Sequence, residues 1–125
     1  MTAIDFPSTR LIDAFNVTQL SPGTFLAPVL GIDLIEIASN STSEIHRHNI
    51  SDNLVYVIRG RGSVFLDGEL YPIQAGCRIS IPRGVAHGFK TSGDGLCFVS
   101  AQIPPILDEE KGIIDREVLV EGTDW

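Results

Sequence analysis

The run Ser43-Glu44-Ile45-His46-Arg47-His48-Asn49-Ile50-Ser51-Asp52-Asn53 leads directly into Leu54-Val55-Tyr56-Val57-Ile58-Arg59-Gly60. A His-x-His pair therefore precedes a β-branched and aromatic stretch that stops at a glycine. Side chains two residues apart on a strand share a face, so His46 and His48 point the same way. The third histidine, His87, follows Ile81-Pro82-Arg83-Gly84-Val85-Ala86, and these three are all the histidines in the chain. Imidazole is the commonest neutral metal ligand near pH 7. If His87 folds back onto the pair, the three rings make three corners of a coordination sphere.

Outward from this run, short β-like segments alternate with turn residues. Leu30 to Ala38 is apolar-rich and ends in Ser39-Asn40-Ser41-Thr42-Ser43. Leu54 to Ile58 reads as a strand halted by Arg59-Gly60-Arg61-Gly62. Asp67-Gly68 between Ser63–Leu66 and Glu69–Ile73 is a two-residue hairpin signal. Ser92-Gly93-Asp94-Gly95 suggests a second hairpin between His87–Thr91 and Leu96–Gln102, and Pro104-Pro105 closes the series. The regular spacing predicts an all-β, antiparallel barrel or sandwich. Residues 1–25 form an apolar N-terminal arm expected to pack on the barrel or on a partner subunit. Residues 26–103 form the barrel. Residues 104–125 form a short tail, with one helical turn expected around Leu107 to Lys111.

At 125 residues the chain supports one core. The net charge of −7 argues against a phosphate-binding face, so nucleic acid is not expected as a partner. The tail acids Asp108, Glu109, Glu110, Asp115, Glu117, Glu121 and Asp124 read as solvated surface. No apolar run is long enough to span a membrane and no leader pattern opens the chain, so a cytoplasmic protein is expected. Cys77 and Cys97 lie in apolar runs and read as buried free thiols.

With these residues in view, the chain resembles the cupin superfamily, as a small single-domain metal-binding barrel. The family's first motif sets a glycine before His-x-His, then a glutamate, then a closing glycine. Asn40, His46-Arg47-His48, Asn53 and Gly60 occupy those places here. Asn40 can adopt the left-handed conformation that the leading glycine supplies. The second motif places a glycine before Pro-x-Gly, a histidine and an asparagine. Gly76, Pro82, Gly84 and His87 match, and Thr91 replaces the asparagine.

The resemblance implies that His46, His48 and His87 ligate one divalent transition metal per chain, with Asn53 in the carboxylate position. An amide oxygen is a neutral and weaker donor than a carboxylate. Asp52 ranks below Asn53 because it points to the opposite face of a regular strand. A neutral histidine set disfavours Mg and Ca and leaves Fe, Ni, Zn, Mn and Cu open. Strand alternation makes Val55, Val57, Arg59, Phe89, Thr91 and Gln102 possible pocket residues, with Arg47 external, Tyr56 in packing and Cys97 an inert thiol.

Two functions are expected. One is a small metalloenzyme, dioxygenase-like or lyase/isomerase-like, acting on a small organic acid or sugar-derived substrate. The other is a non-catalytic ligand-binding or sensor module. No titratable acid or base stands out near the histidines in the sequence. A homodimer is expected in either case.

Overall fold

The computed structural model describes residues 4–108, 112–121 and 125. Its elements are strands: β1 (Thr9–Ile12), β2 (Phe15–Gln19), β3 (Gly31–Ile37), β4 (Ile45–Arg47), β5 (Asp52–Leu66), β6 (Glu69–Gln74), β7 (Arg78–Ile81), β8 (His87–Ile103), β9 (Leu107–Asp108), β10 (Ile113–Ile114) and β11 (Glu117–Val120). The main sheet runs β1-β2-β3-β8-β4-β11, and β5 pairs with β6, β7 and β8. The pairings are antiparallel, and the sheet curls into the jelly-roll barrel that the turn spacing predicts.

Two long strands differ from the expected short ones. Gly60 and Gly62 do not end a strand. β5 passes through both, with register shifts against β8 between Val57 and Arg59 and between Gly60 and Gly62. The Ser92–Gly95 segment is likewise no hairpin, because the two halves of β8 pair not with each other but with successive parts of β5. The glycines make bulges that bend one continuous strand, since they accept backbone geometry and close approach that other residues resist. Gly60 has φ +92°, and a Cβ at Gly62 would run into the backbone carbonyl oxygen of Lys90.

Asp67-Gly68 does make the expected tight turn, with φ of 47° and 94° at its two residues and Leu66 facing Glu69. The N-terminal segment supplies a hairpin that extends the sheet along β3, and its Phe15 and Val17 enter the core. Among the described residues the start of the tail is extended rather than helical. Leu107 and Asp108 pair with Ile114 and Ile113 as strands, and the remainder of the expected turn, residues 109–111, lies outside the described residues.

The core fills one end of the barrel with Val55, Val57, Val64, Ile79, Phe89 and Phe98 among others. Buried inward residues of β8 change character along the strand. Leu96 and Phe98 are apolar, whereas Ser100 and Gln102 are polar and fully buried. This apolar-to-polar change divides the barrel interior into a packed end and a polar-lined end.

Candidate metal centre

His46 lies on β4 opposite His87, the first residue of β8, and His48 follows the end of β4. Ladder pairing brings together rings that are far apart in sequence. Their ligand atoms lie within 4.8 Å of one another, and all three residues are buried. Ring centroids are 4.3 Å apart for His46–His87, 4.9 Å for His48–His87 and 5.1 Å for His46–His48.

Each ring also meets a backbone carbonyl through Nδ1. His87 reaches Val85 O at 2.9 Å, His48 reaches Asp115 O at 2.6 Å, and His46 reaches Glu44 O at 3.3 Å. A carbonyl oxygen only accepts, so Nδ1 carries the proton in each contact and the neutral ring keeps its lone pair on Nε2. Three second contacts therefore select the same tautomer three times, as metal-binding histidines require.

Burial pushes the His87 imidazole down from 6.5 to about 4, with His48 adding to the shift. Burial, then the neighbouring His87 and His48 rings, hold His46 well below its ordinary value. Burial also lowers His48, against the opposing effect of its bond to the Asp115 carbonyl. The cluster is thus neutral at pH 7, the protonation state in which imidazole binds metal.

A cavity of about 70 Å³ opens beside the rings. It has room for a handful of waters or the reacting end of a small molecule. Phe15, Ile35, Val55, Phe89 and Phe98 form apolar walls, and Asp33, Asn53, Ser100 and Gln102 form a polar one. On the polar wall, Gln102 Nε2 donates to Asp33 Oδ2 at 2.9 Å and to Ser100 Oγ at 2.9 Å. Ser100 Oγ in turn donates to Asn53 Oδ1 at 2.7 Å. Gly31 makes this arrangement possible, because a Cβ there would collide with Gln102 Oε1.

The pocket thus contains Asn53, Val55, Phe89 and Gln102 from the sequence reading. Val57 lies deeper, in the packed core. Arg59 is turned to the outside by the bulge after Val57 and sits 3.5 Å from Glu36. Thr91 caps a turn, donating to Ala38 O at 2.6 Å and accepting from Ser41 N at 2.8 Å. Asp52 is exposed and paired with Arg83, away from the rings. Tyr56 also faces outward and is 53% exposed rather than packed.

Further residues outside the expected set surround or line the site. Asp115 is buried rather than a solvated tail acid, and half-exposed Glu117 is paired with Arg47. Burial alone would raise the Asp115 carboxyl, but N–H donations from Asn49, Ile50 and Ser51 outweigh it and hold the group below its ordinary value. Glu117 on β11 grips Arg47 of β4 in a forked pair at 2.8 and 2.9 Å. Arg116 lies between Asp13 at 3.3 Å and Glu44 at 2.9 Å, and it lines the cavity. Asp33 is the other missed residue. It occupies an inward position on β3, where the alternation Gly31, Asp33, Ile35, Ile37 is legible within the apolar-rich run Leu30 to Ala38.

The sequence matches the Cupin domain family over residues 33–100. A 73-residue stretch is 34% identical to polyketide synthase CurC of Streptomyces cyaneus, covering 58% of this chain and 47% of that protein. The chain therefore spans about half the length of that curated relative. Among solved structures, Streptomyces Pac13, described as a nucleoside dehydratase, superposes with a TM-score of 0.74. It is 15% identical, with 98% of this chain and 95% of that chain covered. Lactobacillus farciminis oxalate decarboxylase superposes with a TM-score of 0.72 at 19% identity, over 90% of this chain and 33% of that chain. At such identities these structures speak to the fold alone.

Proposed function

The chain belongs to the cupin family, and on that premise we propose that it is a small metalloenzyme acting on a small organic substrate through a three-histidine centre. The observation that carries this reading is the shared tautomer, in which three buried, neutral imidazoles have Nδ1 engaged and Nε2 free. In this reading His46, His48 and His87 hold one divalent transition ion, with Fe, Ni, Zn, Mn and Cu all compatible with the donor set. Asn53 stands on the polar wall of the same cavity and would be the fourth ligand. Its oxygen already accepts from Ser100, which makes it a weak ligand and leaves room for substrate or water.

An ion held by these three residues would supply Lewis-acid polarisation of a substrate oxygen. The protein's own share is to hold the rings neutral, orient them through three carbonyls, and exclude water with aromatic walls. Of the two reaction classes, the lyase or isomerase type is favoured over the dioxygenase type. The buried carboxylate of Asp33 on the cavity wall supports that choice, because a proton shift needs an acid or base beside the substrate. A small carbonyl-bearing acid or sugar-derived molecule fits the cavity's size and its mixed walls.

A ligand-binding module without turnover is the second reading, favoured by the amide at Asn53 where a carboxylate would anchor the ion more firmly. In either reading the molecule pairs with a second copy through the outer face of β5.

Elemental analysis of the purified protein tests the centre. One transition ion per chain is expected, lost on chelation and lost in His46→Ala and His87→Ala. Full metal retention in both variants defeats the reading.

A further inference from the structure

Asp33 is the carboxylate among the described residues that line the cavity. It is 6% exposed, on an inward position of β3. Its Oδ2 is held by Gln102 Nε2, while Oδ1 has no protein partner among the described residues. The wall is also directional. Gln102 Nε2 donates to both Asp33 Oδ2 and Ser100 Oγ, and Ser100 Oγ donates to Asn53 Oδ1, so none of these neighbours donates to Oδ1. A structural carboxylate at this depth is normally satisfied by several donors. Asp33 has one.

A second observation lies on the adjacent strand. Gln19 faces Asp33 in register, is buried, and keeps its Oε1 without a donor. Cross-strand partners stand on one face within reach of each other. An orphan acceptor beside an under-satisfied carboxyl suits an acid that holds a proton for part of its cycle. Burial raises the Asp33 carboxyl above its ordinary value, and the Gln102 bond only partly opposes this. The group therefore accepts a proton more readily than an exposed aspartate.

We propose that Asp33 is the proton-transfer residue of this pocket, acting on a substrate that carries a carbonyl with an adjacent C–H bond. The inference rests on the metalloenzyme reading and narrows it to proton-shifting chemistry. The C–H bond next to the carbonyl breaks, its proton passes to Asp33 Oδ1, and the bonding pair moves to leave an enolate on the substrate oxygen. The carboxyl returns the proton to carbon in the product, so no oxidant or reductant takes part. Gln102 is a positioning residue that fixes Oδ2 and turns Oδ1 to the cavity. The part of the substrate that meets Asp33 is uncharged, because an anionic group placed against this carboxylate would meet a like charge there.

The test uses the metal-loaded full chain with dihydroxyacetone in D2O, following deuterium entry beside the carbonyl by proton NMR. Wild-type protein is expected to catalyse the exchange. Asp33→Asn is expected to slow it by about 10²–10⁴-fold with metal content unchanged. Asp33→Ala leaves a space where added formate is expected to restore part of the rate, a rescue that a merely structural role would not show. Absence of exchange by metal-bearing wild type, an undiminished rate in Asp33→Asn, or failure of rescue in folded Asp33→Ala overturns the assignment. Asp33-dependent exchange by protein that binds no metal would instead overturn the metal reading and leave Asp33 in place.

Discussion

At the scale of single residues, the centre depends on each of three rings carrying one proton, on Nδ1, and not a second on Nε2. The native His87 imidazole stays neutral down to about 4, whereas an unfolded one takes up a proton near 6.5. Between those values the unfolded chain binds more protons, so stability present at neutral pH is lost as the pH falls. The shift from 6.5 to about 4 at His87 corresponds to roughly 3 kcal/mol. Urea midpoints of metal-stripped protein are expected to fall steadily from pH 7 to pH 4, and a flat profile would contradict the buried neutral cluster. His46-x-His48 was legible in sequence because period-2 alternation needs only local geometry. Asp115 was not, since its acid side chain reads as solvated until the fold lays it against residues 49–51. Asp115→Ala leaves three N–H groups without their acceptor and is expected to cost about 2–4 kcal/mol, measured by denaturant titration. It should also weaken metal binding through His48, whose Nδ1 leans on the same residue's carbonyl.

At the scale of elements, β5 and β8 are long strands bent by glycine, and the site depends on that bend. β5 carries Asn53 and Val55 to the cavity at one end and pairs with His87 at the other, through Leu66. The bulge after Val57 is also why Arg59 faces solvent while Val57 stays in the core. Sequence alternation could not foresee this, because one inserted residue reverses every facing position beyond it. Gly62→Ala forces a Cβ against the Lys90 carbonyl oxygen, a backbone atom that cannot swing aside. We expect a loss of about 1–3 kcal/mol in thermal or denaturant unfolding, with one metal still bound per chain. Undiminished stability would show that the β5–β8 contact can relax. The tail is the other element whose role emerges only on folding. β11 pairs with β4, and Trp125 donates to Ser43 O at 2.7 Å, so chain distant in sequence braces the strand that bears His46.

For the whole molecule, the outer sheet face is unusually apolar. Leu54, Tyr56 and Ile58 on β5 are 45%, 53% and 46% exposed, and half-buried Val99 and Ala101 lie beside them on β8. Contiguous apolar surface of this kind marks an association site, and we propose a second copy as its occupant. Light scattering at micromolar concentration is expected to give a dimer, and Tyr56→Glu should shift it to monomer with metal content intact. A wild-type monomer would remove this face from the assembly.

The sequence by itself determined the fold and three imidazoles of the centre. Alternation, turn residues and His-x-His spacing are local signals, and the two glycine- and proline-marked motifs hold their register along the chain. Only the tertiary structure decided what surrounds the rings. Asp33 on β3, and Asp115 and Arg116 in the connection between β10 and β11, come from segments that the local pattern left unconnected to the site. Burial, cross-strand register and the carbonyls that select a tautomer are relations between distant segments, and they exist only once the barrel has closed.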